Sequence, residues 1–255
     1  MLNYLNGELY KVFRRSYTWI TLGVVLALEA LLVAGWAFTN ANGNTVDFYT
    51  GAGMLTMMLS VGFYATLFTG DMVFAGQYKF GTMKNEVSFG IPRSRIYLGK
   101  LLAETILALL ACVVMLGFYL ALCWIFLLHN PETDAAVFPI LRYCLTAALP
   151  LWLGCQALSC LCFFLFKSDI AATFACVGVV IVVPTALDLF SLLFEGPVGT
   201  VLRQIYNLWP TTLLEQAPQV VGDSSLLLTA LAVGAVWLVG FTALGLWRFS
   251  RREIH

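Results

Sequence analysis

Polar residues in this chain are confined to narrow bands between long apolar runs. The runs extend from about Tyr17 to Thr39, Gly51 to Gly76, Leu101 to Leu128, Tyr143 to Phe166, Ile170 to Phe194 and Leu226 to Trp247. Each reaches roughly 20 residues, the helix length that crosses a hydrocarbon core of about 30 Å. The pattern predicts an all-α integral membrane protein with six transmembrane helices. The segments between the runs hold at most about 30 residues, too few for a second core, so residues 1–255 read as one membrane domain. The first run is longer than the roughly 7–15 residues of a signal-peptide core and carries Glu29 in its middle. It reads as an uncleaved helix.

Composition sharpens the exclusion. Hydrophobic residues make up 60% of the 255 and charged residues 11%, against about 25% charged in a soluble domain. A soluble enzyme, a disordered chain and a nucleic-acid module are ruled out. The formal net charge is zero, so the placement of charge matters more than its sum. Lys11, Arg14, Arg15, Lys79, Lys84, Arg93, Arg95, Lys100, Lys167, Arg248, Arg251 and Arg252 fall on one side of the predicted membrane; only Arg142 and Arg203 fall on the other. The positive-inside rule then predicts cytoplasmic N and C termini in a multi-pass protein of the cytoplasmic membrane. Asp47, Glu132, Asp134, Glu195, Glu215 and Asp223 gather outside.

The bands between the runs carry their own patterns. Leu2, Leu5, Leu9, Val12 and Phe13 recur at helical spacing, with Asn3, Asn6, Lys11, Arg14 and Arg15 elsewhere. This predicts an amphipathic helix over residues 1–16 lying in the interface, as an anchor, as a contact for a cytoplasmic partner, or as both. In the segment from Gln77 to Lys100, Thr82 suits a helix start, Gly90 a C′ position and Pro92 the stop beyond it. A short helix from about Met83 to Phe89 follows, with Met83, Val87 and Phe89 for apolar contacts and Lys84, Asn85 and Glu86 for water. Ser94 is placed to cap the next membrane helix. A solvated basic loop is the plainer alternative. Between Glu195 and Ser225, the residues Val198, Val201, Leu202, Ile205 and Tyr206 share one helical face, and Trp209-Pro210 breaks it before Leu213 and Leu214. A re-entrant or interfacial helical pair is expected outside.

Catalytic chemistry is scarce. The only histidines are His129 and His255, so no zinc-binding helix motif exists, and no G-x-S-x-G elbow occurs. Gly99-Lys100-Leu101 fails as a phosphate loop because Ser94 stands in place of the first glycine and Leu101 in place of the hydroxyl residue. No cofactor or metal is expected on this chain. Cys112, Cys123, Cys144, Cys155, Cys160, Cys162 and Cys176 all fall in apolar runs and read chiefly as small packing residues, with a soft-metal path as the alternative. Glu29, near the bilayer midplane, must face protein or water; it either lines a transport path or has a structural hydrogen-bond partner. Asp71 and Glu104 lie nearer the cytoplasmic ends of their helices, where water or Lys100 is within reach, and Asp188 lies near Pro184 toward the outside. Met54, Met57 and Met58 of the second run stand among small residues and offer adaptable apolar contact. Glu29, Met54, Met57, Met58 and Asp188 are the candidates for a substrate path, with plain packing the alternative for the methionines.

The strings Gly81-Thr82-Met83-Lys84-Asn85, Gly90-Ile91-Pro92-Arg93-Ser94-Arg95 and Leu98-Gly99-Lys100-Leu101 resemble the loop between helices two and three of ABC-2 type transporter permeases. The N-terminus with Glu8 before Lys11, the six-helix layout, and Tyr206-x-x-Trp209-Pro210-Thr211 before the last helix are also similar to that family. Gln77 stands where the family often has Glu. The resemblance implies the ABC-2, type V exporter-like permease fold, a dimer with a second permease copy or homologue, and separate ATPase subunits that bind ATP and Mg below the membrane. It implies that Gly81, Thr82, Met83, Lys84, Val87, Phe89, Pro92, Arg93 and Arg95 form the coupling helix and its flanks. Similar small bacterial permeases export antimicrobial peptides or protect against them, which makes a peptide or amphiphile the expected cargo. An autonomous channel or secondary transporter is the alternative from another class; no convincing internal repeat supports it.

Overall fold

Twelve α-helices follow one another in the computed structural model, which describes residues 2–43, 45–75, 77, 82–194 and 196–251. Helix α1 (Leu2–Phe13) precedes the first span, α2 (Ser16–Ala41). The second span consists of α3 (Phe48–Met58) and α4 (Gly62–Phe74), joined through a 3-10 turn at Leu59–Val61. A short α5 (Thr82–Ser88) leads to α6 (Arg93–Phe126) and α7 (Pro131–Leu165), the third and fourth spans. The fifth span is α8 (Asp169–Val177) and α9 (Val183–Leu193), joined by a π-helical turn at Gly178–Val182. Helices α10 (Pro197–Asn207) and α11 (Pro210–Gln216) lead to the last span, α12 (Ser224–Arg251). All six spans are long and apolar enough to cross a membrane. The even number of crossings puts α1, α5 and the C-terminal end of α12 at one end of the bundle, called here the basic end.

Several boundaries differ from those the apolar runs suggested. Helix α7 begins at Pro131 rather than Tyr143, so Arg142 lies inside a helix and not in a connection. The start is built from polar signals that apolar runs do not carry. The Asn130 side chain accepts from the Glu132 amide, Pro131 occupies the first turn, and Glu132 and Asp134 face the positive end of the helix dipole. Helix α6 likewise begins at Arg93. Pro92 stands at its N-cap, so Ser94 lies within the helix and does not cap it. Gly76, Lys79, Gly81, Glu195, Arg252 and His255 lie outside the described residues.

Helix α7 is the hub. It is buried along most of its length, while α2 buries only Thr18 and Val33 among its described positions and lies at the periphery. Close approach to α12 depends on two glycines. A methyl at Gly234 would stand 2.3 Å from the Pro150 carbonyl oxygen, and one at Gly154 would stand 2.8 Å from Trp237 Cβ. Small residues of this kind let membrane helices touch backbone to backbone. The 3-10 turn of the second span packs against the same hub: the Trp152 indole donates to the Leu59 carbonyl at 3.2 Å, and its ring covers Gly62. That bond serves a backbone acceptor where the regular ladder is interrupted.

Candidate functional site

Four charges from three separate elements converge at the basic end. Lys100, on the first turns of α6, is fully buried (0% exposed); Glu8 of α1 is 2% exposed. The Lys100 ammonium lies 3.2 Å from Glu8 Oε2 and 3.7 Å from Glu86 Oε1, and Glu86 belongs to α5. Lys11 bridges the same two carboxylates from the solvent side. Tyr4 completes the group: its hydroxyl donates to Glu86 Oε2 at 2.9 Å, and its ring sits on Gly99. Two acids balance two bases, which is how buried charges are tolerated. Burial alone would raise the Glu8 carboxyl, but the Lys100 charge and the Lys11 hydrogen bond outweigh it and hold Glu8 below its usual value of 4.5. The Tyr4 hydroxyl moves the other way, raised by burial and by the two carboxylates beside it.

Helix α5 is thereby tied to α1 and α6. Its sequence also stops it cleanly. Gly90 adopts φ +79°, Gly90 N–H donates to Val87 O at 3.0 Å, and Ile91 N–H donates to Glu86 O at 3.4 Å. These are the two bonds of a Schellman motif, and the left-handed position suits glycine. The expected helix from Met83 to Phe89 is therefore present, shifted by one residue. At its start the Thr82 hydroxyl donates to the Gln77 carbonyl instead of accepting from the helix. Met83 is buried and Val87 packs on the core. Thr82, Lys84, Pro92 and Arg95 are exposed, and Phe89 is 84% exposed.

Two arginines take structural positions beside this group. Arg93 donates from Nη1 to the carbonyls of Phe249 and Ser250, both at 2.9 Å, at the end of α12. Arg15 donates to the Met72 and Ala75 carbonyls at the end of α4. Each guanidinium meets the negative end of a helix dipole. Arg93, expected among the coupling residues, thus also anchors the last span.

Deeper in the bundle Glu104 is fully buried. It does not reach water, as its place near the helix end had suggested, because α4 and α7 enclose it. Its Oε2 accepts from Gln156 Nε2 at 2.7 Å, Gln156 Oε1 accepts from Thr69 at 3.2 Å, and Ser159 joins through the Thr66 carbonyl at 3.0 Å. Asp71 lies apart from this chain, half-buried beside Tyr17.

The candidates for a substrate path separate into two groups at the opposite half of the bundle. Met54 and Met57 line a cavity of about 470 Å³ together with Trp36, Tyr49, Val137, Ile140 and Pro218; Met58 is not among its lining residues. Glu29 lies two helical turns from Trp36 on the same helix, near Tyr119 and Cys123. Its Oε2 is buried with no hydrogen-bond partner among the described residues. Trp36 meets Tyr119 edge-on at 6.4 Å, and the Tyr119 hydroxyl donates to Gly51 O at 2.9 Å. Asp188 is elsewhere: it pairs with Arg203 of α10 at 3.1 Å, both partly exposed. The expected outer helical pair is present as α10 and α11. Sequence reading gave Tyr4 and Gln156 no role, named Glu8 only through the resemblance, and turned Glu86 to water, whereas the fold packs Glu86 between the two lysines and Tyr4; the Glu8–Lys11 spacing was the one available signal for the charge cluster.

The family model described as ABC-2 family transporter protein matches residues 4–209. No curated protein matches the chain.

Proposed function

The chain belongs to the ABC-2 transporter family, whose members are membrane-spanning transport components and not ATP-binding subunits, and on that premise we propose that it is the permease subunit of an ATP-driven exporter in a bacterial cytoplasmic membrane. The basic end faces the cytoplasm. A separate ATPase docks there, with α5 as the coupling helix, and the permease works as a dimer by alternating access. One observation supports this above the others. Helix α5 buries Met83, ties Glu86 to α1 and α6, and leaves Lys84 and Phe89 exposed on a capped, surface-held helix. A motion imposed on α5 is then passed to the third span through ion pairs rather than lost in a loop.

The cargo is a peptide or other amphiphile with basic groups. Glu29 provides an unpartnered carboxylate oxygen in an apolar helix, and Met54 and Met57 provide adaptable apolar walls nearby. Glu29→Gln is expected to leave a folded complex whose ATPase responds to neutral cargo but less to cationic cargo. A destabilised variant with a normal response would assign Glu29 a structural role.

The deciding experiment is copurification of the tagged chain with its ATPase from native membranes, followed by a substrate-stimulated ATPase measurement. Phe89→Glu should reduce ATPase capture at least roughly tenfold with insertion unchanged, the effect of losing a central apolar anchor. Transport by the chain alone in liposomes would overturn the reading.

A further inference from the structure

The fully buried Lys100 has carboxyl groups on two sides: Glu8 and Glu86 from other elements, which it uses, and Glu104 on its own helix, which it does not. Toward the basic end its ammonium holds Glu8 and Glu86. One turn farther into the bundle, Glu104 stands four residues along α6, where side chains of a helix are neighbours. Both Lys100 and Glu104 are 0% exposed. Glu104 Oε1 has no hydrogen-bond partner among the described residues, while Oε2 is held by Gln156. Lys100 and Glu104 form no ion pair in the arrangement described, although a carboxyl oxygen without a donor borders the lysine's own turn.

We infer that Lys100 is a two-station switch: its ammonium holds Glu8 and Glu86 while α5 is docked against α1 and α6, and moves one turn inward to Glu104 when α5 is drawn away. Glu86 is the one carboxylate of the group that lies on α5, a seven-residue helix. When α5 moves, Glu86 leaves both lysines, and Glu8 alone must serve Lys11 and Lys100. A buried ammonium without sufficient counter-charge is strongly unfavourable, and the four-carbon stem of lysine turns freely enough to seek another acceptor. Glu104 is fixed in place by Gln156, which Thr69 orients from α4. A lysine arriving there ties α6 to the α4–α7 packing in place of the α1–α5 packing. Motion at the surface helix thereby becomes a change of partner inside the membrane bundle. Glu104 and Gln156 act as positioning residues in this scheme. The trigger rests on the proposed ATPase contact at α5; the two stations do not.

The test is a mutant cycle on the full chain in detergent, read as melting temperature, with no ATPase present. Glu104→Gln alone should cost little, because Lys100 occupies the outer station and Gln156 retains an amide partner. In the Glu8→Gln/Glu86→Gln background Lys100 depends on Glu104, and the same Glu104→Gln change should lower melting by a further ~5 °C or more. If the triple variant fails to accumulate, adding Lys100→Met should restore it, since without the ammonium neither station is needed. Additive shifts, or a triple variant that Lys100→Met does not rescue, would overturn the switch. A wild-type chain that captures no ATPase but shows the non-additive cycle would sink the coupling reading and leave the stations standing. With the ATPase bound, Glu104→Gln should keep capture at the wild-type level while ATP-driven transport falls at least roughly tenfold, the loss expected when a coupling contact is removed. Unchanged transport would count against the switch.

Discussion

Tyr4 and Glu86, 82 residues apart, are joined by a 2.9 Å hydrogen bond that closes the first helix onto the short helix between the second and third spans. The Tyr4 ring fits because residue 99 has no side chain: a methyl there would stand 2.5 Å from Cδ1.

Tyr4→Phe should therefore destabilise the α1–α5 contact by about 1.5–3 kcal/mol, the range for a hydrogen bond to a charged group. Gly99→Ala should release α1 more completely, because the ring must leave its seat. Limited proteolysis within residues 1–16 measures both; equal protection of Gly99→Ala and wild type would refute the fit.

The depressed Glu8 carboxyl gives a pH dependence whose sign follows from linkage. An acid held below its usual value of 4.5 contributes stability that is complete above that value and lost as pH falls through the native one. Acidification below about pH 4.5 should loosen α1 first, since protonating Glu8 leaves Lys100 and Lys11 underbalanced. Glu8→Gln should cost about 3 kcal/mol at neutral pH and flatten the acid limb of a melting-temperature profile. A limb of unchanged slope in the variant would place the titration elsewhere.

His129 has the opposite sign. Its ring is 2.9 Å from Asp134 and 2.8 Å from the Trp124 carbonyl, joining the end of α6 to the start of α7. The Asp134 hydrogen bond, then the Trp124 carbonyl, raises it above its usual 6.5. Its stabilisation is complete below about 6.5 and lost as pH rises through the native value. Melting temperature should fall on the alkaline side in the wild type and not in His129→Gln. The same fall in both would disprove the assignment.

Gly234→Ala brings a methyl within 2.3 Å of the Pro150 carbonyl oxygen and 2.4 Å of its carbon, backbone that cannot turn aside. A loss of about 2–3 kcal/mol is expected from forcing α7 and α12 apart. Gly240→Ala, on the same helix with nothing within 4 Å, should be neutral or slightly stabilising. Paired thermal unfolding of the two variants checks the prediction, and a neutral Gly234→Ala would disprove the close crossing.

The six spans were legible because each is a long apolar run with at most one charged residue, and α5 was legible because Gly90 and Pro92 mark its end in one short stretch. The charge cluster was not. Glu8, Glu86 and Lys100 are separated by long intervals, and no periodicity links residues that meet only through tertiary packing. The extended starts of α6 and α7 were missed for another reason: apolar length marks the membrane-crossing part of a helix, whereas Asn130 and Pro131 mark its true beginning. Asp188 looked like a free acid in the fifth span until the fold brought Arg203 of α10 beside it.

The π turn at Gly178–Val182 also sets the angular phase of everything after it. Such a turn accommodates one residue more than an α-helix of the same rise, and one residue corresponds to about 100° of rotation. Asp188 meets Arg203, and the end of α9 meets Gly199 of α10, at the azimuth this extra residue gives them. If the turn straightened into regular α-helix with every residue kept, Asp188 would swing from its partner by more than a quarter of a revolution, whereas deleting one valine along with the straightening would leave its azimuth and the helix length nearly unchanged. The outer helical pair is thus indexed to the fifth span by residue count, as a gear is indexed by one tooth.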